Sequence, residues 1–113
     1  MRKPTPLGEF EQIVLLAILR LENDAYGVTI RNEIERRTGR EPAPGALYTT
    51  LDRLEDKGLV RSKTGEPTPQ RGGRSKRYFT VTASGLKALT QALRDIQHLL
   101  QGLELPGLTY AES

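Results

Sequence analysis

The chain has 113 residues, 27% of them charged, a formal net charge of +3 and no cysteine. That length suits one domain, which at this size buries only about 60% of its unfolded surface and gains from dimerisation; without cysteine, a disulfide framework and a thiolate metal site are excluded. The longest apolar run, Ile13 to Leu19, is seven residues, far short of the roughly 20 that span a bilayer, and with Glu9 and Glu11 directly before it and no small-residue cleavage pattern after it, it does not read as a signal peptide. A cytoplasmic chain with no membrane segment is expected.

Residues 1–6, with Pro4 and Pro6 among them, read as a loose arm. A first helix is expected from about Gly8 to Glu22, with Glu9 and Glu11 complementing the positive end of its dipole. Phe10, Ile13, Val14, Leu16, Ala17, Ile18 and Leu21 give it more apolar surface than one face needs, as in a helix covered on two sides. Asn23, Asp24 and Gly27 interrupt the pattern, and a second helix follows from about Val28 to Arg37, closed by Gly39. Pro42 and Pro44 force a turn. The third helix starts near Pro44 or Gly45, carries Leu47, Leu51 and Leu54, and stops at Gly58. On a 100° wheel its outward side holds Gly45, Thr49, Asp52, Arg53 and Asp56, with Ala46 and Tyr48 on the flanks.

Leu59 to Lys63 and Arg77 to Thr82 alternate apolar and polar residues around a Gly- and Pro-containing stretch, the pattern of a β-hairpin with a long tip. Thr82 is placed to cap a last, long helix. There Leu86, Leu89, Leu93, Ile96, Leu100 and Leu103 fall at strict three-four spacing, which keeps one seam toward a partner helix. Over residues 83–103 such a helix is roughly 30 Å long, more than the preceding 82 residues readily cover. The six positions are therefore expected in a dimer interface, although the same stripe also fits packing on the chain's own core. Residues 104–113 read as a tail without an assigned role.

The fold class expected is mainly α with a small β-hairpin: a winged helix-turn-helix over residues 7–82, continued by a C-terminal dimerisation helix over 83–103 in the same compact unit. In that plan the third helix enters the major groove of DNA and the hairpin tip meets the backbone. Charge agrees: from Arg61 to Arg77 six basic residues stand against one acid, Glu66, the footprint of a polyanion site. Gly72 and Gly73 let the tip approach phosphates, and Arg71 and Arg74 supply forked donors. Ala46, Thr49 and Thr50 are small enough to admit a base edge, Tyr48 either packs on the core or meets DNA, and Arg53 suits a phosphate. Double-stranded DNA is the expected partner of Ala46, Tyr48, Thr49, Thr50, Arg53, Arg71, Gly72, Gly73, Arg74 and Lys76. No catalytic motif, cofactor loop or metal-ligand spacing occurs, and the single histidine, His98, stands without a carboxylate partner. A winged-helix module that binds proteins instead of DNA is the alternative.

These residues resemble the PadR family of bacterial transcriptional regulators in its short form, over about residues 7–103. The match is carried by Ala25-Tyr26-Gly27, Gly45-Ala46-Leu47-Tyr48 with Leu51 and Leu54, Gly58-Leu59-Val60, and Gly72-Gly73-Arg74 with Arg77-Tyr78-Phe79 and Val81-Thr82 through Gly85. The resemblance implies a homodimeric regulator, usually a repressor, with the last helix exchanged across the dimer and, in some members, a small aromatic or drug-like effector near the dimer axis; a helix-turn-helix dimer is expected on a palindromic operator. Two positions depart from the family's common pattern: Ala43 stands where serine often precedes Pro44, and Thr49 where proline often follows the tyrosine.

Overall fold

The computed structural model describes residues 6–65 and 76–108. Its elements run α1 (Glu9–Leu21), a 3-10 turn (Glu22–Asp24), α2 (Gly27–Thr38), α3 (Pro44–Asp56), β1 (Val60–Thr64), β2 (Arg77–Val81) and α4 (Ala83–Leu100). The expected three helices, hairpin and long helix are all present, in that order.

Each helix end has a local chemical cause. The Gly8 amide donates to the Glu11 carboxylate at 2.8 Å, fixing the first turn of α1. At the start of α2 the Tyr26 amide donates to the Thr29 hydroxyl oxygen at 3.0 Å. Gly39 ends α2 at φ 75°, a left-handed conformation that costs a residue with a Cβ about 1–2 kcal/mol. Ala43 leaves α3 without a side-chain cap, Pro44 occupying its first turn. Thr82 caps α4 by accepting from the Gly85 amide at 3.0 Å, while its own hydroxyl donates to the Gly58 carbonyl at 2.7 Å.

The strands pair antiparallel, Val60 opposite Val81 and Ser62 opposite Phe79. The Ala25 carbonyl accepts from the Phe79 amide at 2.8 Å, so β2 is flanked by β1 on one edge and by the start of α2 on the other. Around Phe79 the core gathers Val14, Leu15 and Ile18 of α1, Ile30 and Ile34 of α2, Leu47, Leu51 and Leu54 of α3, Val60 of β1 and Leu89 of α4. The opposite side of α1 exposes Leu16 and Leu19, as its double apolar surface led one to expect.

Two expectations about the last helix are corrected. It ends at Leu100 and not at residue 103; Gly102 turns the chain at φ 82°, and Leu103 lies beyond the helix, exposed. The leucine seam is also not one surface. Leu89 is only 2% exposed, and Leu93 packs beside it on the chain's own core with Ala88 and Ala92. Leu86, Ile96 and Leu99 stand in solvent.

Charged side chains inside the body are paired. Glu33 of α2 receives Arg36 and Arg37 at 2.7 Å and Arg20 of α1 at 3.2 Å, and the hydrogen bonds from Arg36 and Arg37 hold its carboxyl down at about 2. Glu11 receives Lys57 at 2.8 Å. Burial pushes the Glu11 carboxyl up, but the hydrogen bonds from Lys57 and the Gly8 amide, with the Lys57 and Arg53 charges, leave it below the ordinary range.

Candidate nucleic-acid interface

The third helix divides cleanly into two faces. Leu47, Thr50, Leu51 and Leu54 are buried; their spacing of three, four and seven from Leu47 is that of one helical face. Gly45, Ala46, Tyr48, Thr49, Asp52 and Arg53 are exposed on the other side. Thr50 is therefore corrected: it is 6% exposed, and its hydroxyl donates inward to the Ala46 carbonyl at 2.9 Å. Its distance of three from Leu47 and four from Leu54 carried that signal.

Tyr48 is 45% exposed and lies across the start of α2. A Cβ on Gly27 would come within 2.0 Å of the Tyr48 hydroxyl oxygen, so Gly27 is what allows the ring to rest there. The two motifs Ala25-Tyr26-Gly27 and Gly45-Ala46-Leu47-Tyr48 are thus halves of one contact.

The base of the hairpin reaches the same place from the other side. On β2, Tyr78 points away from Phe79 and meets Tyr26 edge to face, the ring centroids 5.4 Å apart. The Lys76 ammonium sits 4.5 Å from the centre of the Tyr26 ring and donates to the Tyr26 hydroxyl at 3.4 Å. That hydrogen bond holds the ammonium above the usual lysine range, and the ring and hydroxyl of Tyr26 place the charge at the entry to α2. Tyr48 from α3 and Lys76 from the hairpin therefore converge on the adjacent residues Gly27 and Tyr26. Arg71, Gly72, Gly73 and Arg74 lie outside the described residues. Arg61 and Lys63 are exposed on β1.

Arg77, counted among the six basic residues of the hairpin, is already paired within the chain. Strand alternation sets it on the side of Phe79 and Val81, facing α3. There it pairs with Asp52 at 3.0 Å and with Glu55, stacked 4.9 Å from the centre of the Phe79 ring. Glu55 also accepts from the Ser62 hydroxyl at 2.6 Å and the Ser62 amide at 3.2 Å. Hydrogen bonding from Ser62, ahead of Arg77, keeps its carboxyl low. The two-residue period through Phe79 and Val81 was the signal that Arg77 lies on the side of α3.

Of the six seam residues, Leu86 and Ile96 are exposed on α4 and Leu103 is exposed beyond it. Leu100 is half-buried, and Leu89 and Leu93 are used within the protomer. Leu99, outside those six, is the most exposed large apolar side chain among the described residues, at 74%.

A three-helix body with a hairpin wing, a polar outward face on its third helix and an ammonium beside it defines a winged-helix protein of the DNA-binding type. The chain belongs to the PadR-like family of transcriptional regulators, whose family model matches residues 15–91. It is 36% identical over 80 residues to "Transcriptional regulator Rv3488" of Mycobacterium tuberculosis, covering 69% of this chain and 68% of that protein. A crystal structure of a PadR family transcription regulator from hypervirulent Clostridium difficile is 26% identical with a TM-score of 0.63, over 80% of this chain and 94% of that one. A winged-helix DNA-binding protein from STIV shares the fold alone, at 20% identity and a TM-score of 0.67 over 88% of this chain and 100% of that one. The family is one of regulators and not of enzymes. Among the described residues no group of side chains is arranged to hold a metal ion, and no helix is long and apolar enough to cross a membrane.

Proposed function

We propose that this regulator works as a homodimeric repressor on a palindromic DNA operator, with α3 in the major groove and the hairpin on the backbone. The observation that carries the reading is the convergence of Tyr48 and Lys76 at the start of α2, beside the small outward residues Ala46 and Thr49. Small side chains admit base edges, and an anchored ammonium meets a phosphate at little cost in side-chain freedom. The exposed Leu16, Leu19, Leu86, Ile96 and Leu99 favour a second copy, whose packing would take apolar surface out of water. A two-fold dimer then reads half-sites about 10 bp apart.

Titration by fluorescence polarisation against the chain's own upstream intergenic DNA and a scrambled control, at several salt concentrations, tests the reading. With about four phosphates neutralised per protomer, the log-log salt slope is near −7. Arg74→Ala should weaken binding to every sequence alike and flatten that slope. Absence of binding even at low salt would favour the protein-interaction module. Repression itself is read by a reporter behind the same DNA, whose output should rise when the chain is deleted.

A further inference from the structure

The two carboxylates that hold Arg77 are not equivalent. Glu55 is engaged through both oxygens: one takes Arg77, the other takes both the hydroxyl and the amide of Ser62. Asp52 gives Arg77 only Oδ1, at 3.0 Å. Its side chain is 61% exposed, and among the described residues Oδ2 has no hydrogen-bond partner. Asp52 also shares a helical ridge with Gly45 and Thr49, seven and three residues before it, on the outward face of α3.

We propose that Asp52 is a specificity residue of this regulator, its open oxygen accepting from the N4 amino group of a cytosine in the major groove while Arg77 fixes its orientation. The inference rests on the DNA-binding reading above. An ionised carboxylate only accepts hydrogen bonds. It repels phosphate, so the oxygen that Arg77 leaves open suits a donor on a base edge and not the DNA backbone. Cytosine offers its amino donor in the major groove, whereas adenine sets the N7 acceptor beside its N6 donor, which opposes a carboxylate. Glu55 holds Arg77 by a contact of its own, which leaves the second oxygen of Asp52 available for readout.

The test is selection from a randomised double-stranded DNA pool, with sequencing, using the full chain as wild type, Asp52→Ala and Asp52→Asn. The wild type should enrich cytosine at one position of each half-site. Asp52→Ala should retain the rest of the motif, lose that preference by roughly 5- to 150-fold, and bind scrambled DNA several-fold more tightly by polarisation, because a negative charge has left the interface. Asp52→Asn still accepts from Arg77 but presents an amide donor where the wild type has an open acceptor, and should lose cytosine in favour of a purine, whose N7 accepts in the major groove. A purely structural carboxylate would leave the base at every position unchanged in both variants, and that result overturns the proposal while the DNA-binding reading stands. If the wild type enriches no sequence at all, both fall.

Discussion

The first and second halves of α4 carry the same leucine spacing and meet different fates. From Gly85 to Leu93 the helix lies on the body, with Gly85 and Leu89 buried; beyond it Ile96 and Leu99 face water and Leu100 is half-buried. Periodicity states which face of a helix is apolar, and the reach of the body decides how much of that face the chain covers itself. Removing Leu89 is the strongest way to expose the contrast. Leu89→Ala should cost about 2–5 kcal/mol of unfolding free energy by urea denaturation, whereas Leu99→Ala should change monomer stability by less than about 0.5 kcal/mol. The paired charge variants sharpen it: Ile96→Asp with Leu99→Asp should sediment as monomer with unchanged helical circular dichroism. A dimer surviving that change would assign those positions to no interface.

The buried half depends on one close approach. A Cβ on Gly85 would lie 2.0 Å from the Leu59 carbonyl oxygen, a backbone atom that cannot swing aside. Gly85→Ala should therefore lift the start of α4 off the hairpin at a cost of about 1–3 kcal/mol, read as a lower urea midpoint. An alanine helix-propensity gain of about 1 kcal/mol pulls the other way, so an unchanged midpoint would mean that the contact yields.

Element order, the caps at Gly39 and Thr82 and the outward face of α3 were all legible from the chain, because each depends on residues within a turn or two of one another. The misreadings share a different cause. Thr50 was judged by side-chain size and not by its place between Leu47 and Leu54. Arg77 was counted in a linear charge run, although strand alternation turns it onto Asp52 and Glu55. The division of the leucine seam, and the meeting of Tyr48 with Gly27, depend on how whole elements dock, which no local pattern records. The three arginines on Glu33 are intermediate: Arg36 and Arg37 lie three and four residues on, a readable helical spacing, while Arg20 arrives from α1.

Acid acts on the body through Glu33. Glu33 is held at about 2 in the folded chain and returns to an ordinary carboxylate value near 4.3 on unfolding. Its ionised form is thus favoured by the fold: the stabilisation is complete above the unfolded value and is lost as the pH falls from about 4.3 through 2. Wild-type thermal stability should decline across that window. Glu33→Gln should be less stable at neutral pH and decline less steeply, the two curves approaching one another at the acid end; parallel curves would remove Glu33 as a source of the slope.

The smallest expected effect lies at the far end. Gly102 adopts φ 82° with nothing within 4 Å of where a Cβ would stand, so Gly102→Ala meets only the left-handed penalty of about 1–2 kcal/mol. That penalty falls on residues exposed to water, which unwind locally before the body does. It should leave the urea midpoint of the isolated monomer unchanged. In the dimer the same substitution becomes visible if Leu100 and Leu103 are held by a second copy, as a weaker dissociation constant by sedimentation. An equal loss in monomer and dimer would mean that the end of α4 is coupled to the body, against the division between its halves.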